Sequence, residues 1–242
     1  MQNQQMTTGK SRRGFWSALI VMVILIPLTV GISWYMGDRR YYIASVLIMI
    51  YSMLPFFASF ESRRPGAREL VTLAVMCAIA VASRAAFVWA PNFKPIGGIV
   101  MITAMAFGPQ AGFMTGSLSL IVSDMLFGQG PWTPWQMFSF GLLGFISGLL
   151  GRKGIIKAEK PLGAAIAGFV MMVAMVGPLL DTCTVFTMAQ MLNRESVLAI
   201  YLSGVPVNVS QGIAVFLCVL LLSRPISEKL NRIKTKYGMM ET

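Results

Sequence analysis

Three ionisable residues interrupt long uncharged stretches of this sequence: Arg84, Asp124 and Asp181. Charge inside an apolar run is costly to keep in hydrocarbon, and by default it marks a functional site or a mutually neutralising pair. Counting along the flanking helices brings all three to the same end of the molecule. Either they line an open cavity there, or Arg84 simply pairs with Asp124 or Asp181. The segment Gly128-Gln129-Gly130-Pro131-Trp132-Thr133-Pro134-Trp135-Gln136 lies at that end too. Its prolines and glycines restrict the backbone, so indoles and amides are held at low entropic cost to binding. A second loop, Trp89-Ala90-Pro91-Asn92-Phe93-Lys94-Pro95, repeats that chemistry. An aromatic belt at a membrane surface would also place tryptophans there, as it would Trp34. Two loops of this kind are expected to clasp a ligand. Asn208 and Gln211 share a helix face deeper in the membrane and read as interhelical hydrogen bonds more readily than as a cavity floor.

Much chemistry is excluded. The chain has no histidine, which removes the usual general base, the serine–histidine dyad and histidine metal sites. No Walker-type phosphate loop occurs, so any ATP hydrolysis must sit on a partner. Cys77, Cys183 and Cys218 are far apart, within or near apolar segments, and offer neither a disulfide framework nor a metal-ligand spacing. No enzyme, cofactor or metal centre is expected.

The elements that must position these residues are membrane helices. Of 242 residues 56% are hydrophobic and 12% charged, about half the charged share of a soluble domain. Runs such as Tyr41–Phe60 and Ser196–Ser223 reach the roughly 20 residues a crossing needs. Eight spans are predicted, at about 14–36, 41–60, 67–88, 95–107, 110–127, 135–151, 161–183 and 196–223. The first follows Lys10, Arg12 and Arg13 but is too long for a signal-peptide core and is read as a retained span. The fourth is short, and is expected to be tilted or re-entrant, with Gly108–Gly112 as the turn after it.

Cytoplasmic loops carry an excess of Lys and Arg, which tests this topology. One side receives Lys10, Arg12, Arg13, Arg63, Arg64, Arg68, Arg152, Lys153, Lys157, Lys160, Arg224, Lys229, Arg232, Lys234 and Lys236; the other receives only Arg39, Arg40, Arg84, Lys94 and Arg194. Both termini are therefore expected in the cytoplasm, with the two aromatic loops outside. The net charge of +11 is explained by these clusters and not by nucleic acid. The charged linker Phe60–Glu69 divides the chain into a two-span extension (1–66), a six-span core (67–223) and a basic cytoplasmic tail (224–242). No repeat relates the halves of the core, which argues against an inverted-repeat transporter. Ala74, Ala78, Ala82 and Ala86 form a smooth stripe that lets another helix approach closely.

The segments ARELVTLAVMCAIAVASRAAF, PNFKP, AFGPQAGFMTGSLSLIVSD and FGQGPWTPWQMFSFGLLGFISGLLGR, within residues 67–223, resemble the substrate-binding S component of energy-coupling factor (ECF) transporters. The Lys94-Pro95 loop and the Gly-Pro-Trp-x-Pro loop ending at Trp135 are most similar to cobalamin-type members. The resemblance implies an all-α, multi-pass protein of the bacterial cell membrane, with a six-helix core here preceded by two extra helices. It implies capture of a vitamin from outside, cobalamin or a related corrinoid, without enzymatic activity. A transmembrane coupling protein (T component) and two cytoplasmic ATPases would be its partners, with Ala74, Ala78 and Ala82 on the coupling interface. The expected ligand contacts are Arg84, Trp89, Asn92, Phe93, Lys94, Asp124, Gln129, Trp132, Thr133, Trp135, Gln136 and Asp181. The competing readings are an S component for another vitamin or precursor, a stand-alone secondary transporter in which the three charges couple ions, and a membrane scaffold.

Overall fold

The computed structural model describes residues 28, 41–62, 65–188 and 193–238. The predicted first span, Trp34, Arg39, Arg40, Arg63, Arg64 and the basic N-terminal cluster lie outside the described residues. Every regular element among the described residues is a helix, as a bilayer requires of a chain that does not close a barrel.

The chain divides into two compact units between Pro65 and Gly66. In the first, α1 (Tyr41–Glu61) runs through Pro55, and residues 43–61 are long and apolar enough to cross a membrane. The second unit contains α2 (Ala67–Ala86), α3 (Ile96–Phe107), α4 (Pro109–Phe127), α5 (Thr133–Arg152), α6 (Pro161–Met171), α7 (Gly177–Met188) and α8 (Arg194–Tyr237). A π-helical turn, Met172–Val176, joins α6 to α7 into one continuous rod. Pro178 accounts for the π register, because it has no N–H to donate to the preceding turn and the wider turn absorbs the loss.

Centrally placed α3 is enclosed by α2, α4, α5 and α8, and all of its residues except Met105 are buried. At 12 residues it rises roughly 18 Å, less than a hydrocarbon core, which agrees with a short fourth element. The turn after it is tighter than the sequence suggests. Only Gly108 leaves the helix, at φ 90°, while Pro109 already occupies the first turn of α4, where its fixed φ suits a helix start.

The tightest packing joins α4 and α5 through glycine. A Cβ on Gly112 would come within 2.5 Å of the Gly144 carbonyl oxygen, one on Gly116 would collide with the Phe140 carbonyl, and one on Gly148 would collide with Pro109. Two backbones can meet this closely only where no side chain intervenes, as in GxxxG pairs of membrane helices. That need also accounts for their composition: both helices have spanning length but are diluted with Gly, Ser and Thr. Four of the described helical segments, residues 43–61, 67–86, 161–187 and 194–237, are both long and apolar enough to cross.

The basic tail is not a separate segment. α8 continues without a break through Pro225 to Tyr237, and its last turns return to the core. Ser223 Oγ donates to the Ala158 carbonyl at 3.4 Å and Lys234 Nζ to the Ala106 carbonyl at 3.4 Å. The Arg68 guanidinium lies 4.9 Å from the Tyr237 ring centre. These contacts gather the start of α2, the end of α3, the 156–160 loop and the tail at one end of the bundle, the basic end.

Candidate substrate site

At the opposite end, α2 delivers Arg84 and α4 delivers Asp124. The Arg84 Nη1 donates to Asp124 Oδ1 at 3.1 Å and to Ser123 Oγ at 2.8 Å. Thr133 Oγ1 donates to the other carboxylate oxygen at 2.8 Å, and the Gly130 N–H donates back to Thr133 Oγ1 at 3.3 Å. The Arg84 guanidinium also stands 5.0 Å from the Phe127 ring centre. Asp124 is wholly buried, so pairing and hydrogen bonding are what make its charge tolerable. Of the two neutral pairings open to Arg84, this is the one formed. It also nails the start of α5 and the Gly-Gln-Gly-Pro turn to α2.

Lys94 joins the same charge cluster from the adjoining loop. Burial lowers its pKa below the ordinary 10.5, the Arg84 charge lowers it further, and Asp124 partly opposes both. The rest of that loop is held by aromatic packing: Phe87 stacks 5.0 Å from Phe93 and 6.1 Å from Trp89. Trp89 Nε1 donates to the Ala86 carbonyl at 3.0 Å, while the indole is 76% exposed. Asn92 adopts φ 60°, a left-handed conformation its short amide tolerates better than most side chains.

The tryptophan turn divides its labour. Trp132 lies over Gly130, where a Cβ would strike the indole, and it remains exposed beside exposed Gln129. Trp135 instead turns into the bundle and is only 3% exposed, its ring 6.2 Å from that of Phe186 on α7. Its Nε1 is buried with no hydrogen-bond partner. One turn further along α5, Ser139 Oγ is buried and unpartnered too. Residues four apart share a helix face, so two orphaned polar groups stand side by side. Buried donors and acceptors are rarely left unmet in a native fold, so this pair stands out. Gln136 is half-buried between them.

Asp181 is elsewhere. It accepts from Asn208 Nδ2 at 2.8 Å and abuts Gly204, where a Cβ would collide with the carboxylate. Next to it Thr182 Oγ1 and Tyr201 Oη are 2.7 Å apart. The expected grouping of three charges at one depth is therefore corrected. Arg84, Asp124 and Lys94 form one cluster, and Asp181 belongs to a separate polar strip between α7 and α8. The helical count assumed a span ending near 183, but α7 runs on to Met188, so Asp181 lies about 10 Å short of that end and meets Asn208 instead. The interhelical reading of Asn208 holds. Ser139, Phe186, Thr182 and Tyr201 were missed; the four-residue offset of Ser139 from Trp135 was the available signal.

On α2, Ala74, Ala78 and Ala82 are exposed, with Val71, Val75 and Ile79 exposed beside them. The stripe thus faces away from the core. Among the described residues no group of His, Cys, Asp and Glu could hold a metal.

A family model described as the S component of the ECF-type riboflavin transporter matches residues 66–228. No solved structure matches the chain.

Proposed function

We infer function from membership: the chain belongs to the family of ECF-type riboflavin transporter S components, a family of multi-pass membrane proteins for vitamin uptake and not of enzymes. Association with a T component and ATPases follows from that membership. Its vitamin is riboflavin, captured from outside the bacterial cell membrane and passed inward with the energy of two ATPases. The likeness to cobalamin-type members expected from the two loops is not supported, since the matching description names riboflavin. A physical reason accompanies this. Thr133, one of the expected ligand contacts, is spent on Asp124, and Trp135 faces the bundle interior and not an open platform.

The observation that carries the reading is the buried pair Trp135 Nε1 and Ser139 Oγ, unpartnered on one face of α5 beside Phe186. A flat heteroaromatic ring gains from contact with indole and phenyl faces, and its polar edge needs a few fixed hydrogen-bonding groups. Asp181, Asn208, Thr182 and Tyr201 supply such groups from α7 and α8. Arg84, Lys94 and Asp124 act beneath the loops, fixing the mouth. Trp89, Asn92, Phe93, Gln129, Trp132 and Gln136 shape its rim. The pairing of Arg84 with Asp124 leaves Asp181 alone to serve the ion-coupling alternative, which is the weaker reading. The exposed alanine stripe, Ala74, Ala78 and Ala82, is the face offered to the T component.

Fluorescence titration of the purified chain tests this. Riboflavin emission should be quenched on binding, as an indole beside a flavin would cause. Trp135→Phe should weaken binding by about tenfold, equivalent to one lost hydrogen bond to a buried group. Absence of riboflavin binding, or saturable binding of cobalamin in its place, overturns the proposal.

A further inference from the structure

We propose that the basic end of the core carries a headgroup site for an aminophospholipid of the adjoining leaflet, phosphatidylethanolamine. A cavity of about 280 Å³ opens there between the end of α3, Gly151 of α5, the 156–159 loop and α8. Ser227 lines it, only 4% exposed, and its Oγ has no hydrogen-bond partner. Asn231 lines it one turn further along the same face of α8. This is a formed cavity with an unmet polar group in its wall.

The charges decide what fits. Lys157 and Glu159 both line the cavity, and Lys234 stands at its rim, held 3.4 Å from the Ala106 carbonyl. Met105 and Ala106 close α3, and Gly151 lies in the last turn of α5, so two helix C-termini add partial negative charge. A bare anion would meet Glu159 and these carbonyl ends; a bare cation would meet two ammonium groups. A zwitterion satisfies both. Its phosphate is drawn to Lys157, Lys234, Ser227 and Asn231, and its ammonium to Glu159 and the carbonyl-rich helix ends.

The surroundings favour a lipid over a soluble zwitterion. Ile155 is 66% exposed in the loop that carries Lys153, Lys157 and Lys160, and Leu162 and Ile166 present an exposed apolar flank on α6, along which acyl chains can run. Basic cavities between membrane helices at the cytoplasmic boundary are typical headgroup sites. The inference requires only that the chain spans a membrane, and stands apart from the identity of the vitamin.

The full chain would be reconstituted in nanodiscs of equal phosphatidylethanolamine and phosphatidylglycerol, released into mild detergent, and its retained lipids weighed by native mass spectrometry. Phosphatidylethanolamine should be retained preferentially. Glu159→Gln should abolish that preference, and Lys157→Gln should reduce retention of both lipids by about fivefold, as expected for one interfacial cation. Both side chains are exposed, so the variants keep the fold, and unchanged riboflavin titration would confirm it. Equal retention of the two lipids by the unaltered chain overturns the proposal, as does a preference that survives Glu159→Gln. Displacement of the lipid by millimolar phosphoethanolamine would show that the site reads the free zwitterion, and would overturn the assignment to a membrane lipid.

Discussion

Asp124 shows how a charge inside a membrane protein is made tolerable. Both carboxylate oxygens are occupied, one by Arg84 and one by Thr133, and neither partner is replaceable by water at a wholly buried position. Removing one member leaves the other charge stranded, which costs more than the pair itself contributes. Asp124→Asn should therefore destabilise the protein by about 3–5 kcal/mol, read as a large fall in thermal midpoint in detergent. The double variant Arg84→Met with Asp124→Leu should recover most of that loss, since no unpaired charge remains. Equal destabilisation by the single and double changes would mean that the ion pair itself supplies the stability. The sequence exposed both residues, because charge inside an apolar run is conspicuous, and left Arg84 with two candidate acids. What it hid was the donor that Asp181 meets, Asn208. That depends on how far α7 runs and on the space left by Gly204, neither of which has a periodic signature.

Helix identity was legible from the apolar runs, and most boundaries fall within a few residues of those runs. Contacts between helices were less so. The alanine stripe of α2 was conspicuous at its four-residue spacing, yet those alanines face outward, and the helix pair in closest contact is α4 with α5. Gly112 and Gly116 on one and Gly144 and Gly148 on the other carry that interface, with the same spacing, in a sequence holding 23 glycines. Abundance concealed them. A Cβ at Gly144 would collide with the Gly112 carbonyl and come within 2.9 Å of Val100 Cγ1, and two backbones cannot move aside as a flexible side chain can. Gly144→Val should thus cost about 3 kcal/mol or more, at the upper end of overpacking effects. Gly163→Ala on α6 is the matched control, because nothing lies within 4 Å of its Cβ and replacing helical glycine there should be neutral or mildly stabilising. A comparison of thermal midpoints checks both; similar values for the two variants would remove the case for a backbone-to-backbone contact.

At the scale of the molecule, charge counting predicts an orientation and the contacts show which residues share an end. Charge counting put most Lys and Arg on one side, and the contacts of α8 bring Arg68, the 156–160 loop and Lys234 to one end of the bundle, while the Arg84–Asp124–Thr133 network ties the two aromatic loops to the other. Lysine and arginine are retained on the cytoplasmic side during insertion, so the aromatic loops should face outward. Hydropathy alone is weakest at α4 and α5, which are uncharged enough to be read as spans but rich in small polar residues, and dropping either would invert everything after it. Chemical labelling decides it, and the protein is well suited to the test because Cys77, Cys183 and Cys218 are all buried and should contribute little background. In intact cells, a membrane-impermeant maleimide should modify Gln129→Cys and leave Lys153→Cys and Lys229→Cys unmodified until the membrane is opened. Both engineered sites at the basic end must switch together, since the contacts of α8 hold them on one side. Labelling of Lys153→Cys from outside would reverse the orientation, and would place the proposed vitamin site in the cytosol, which overturns capture from the surroundings.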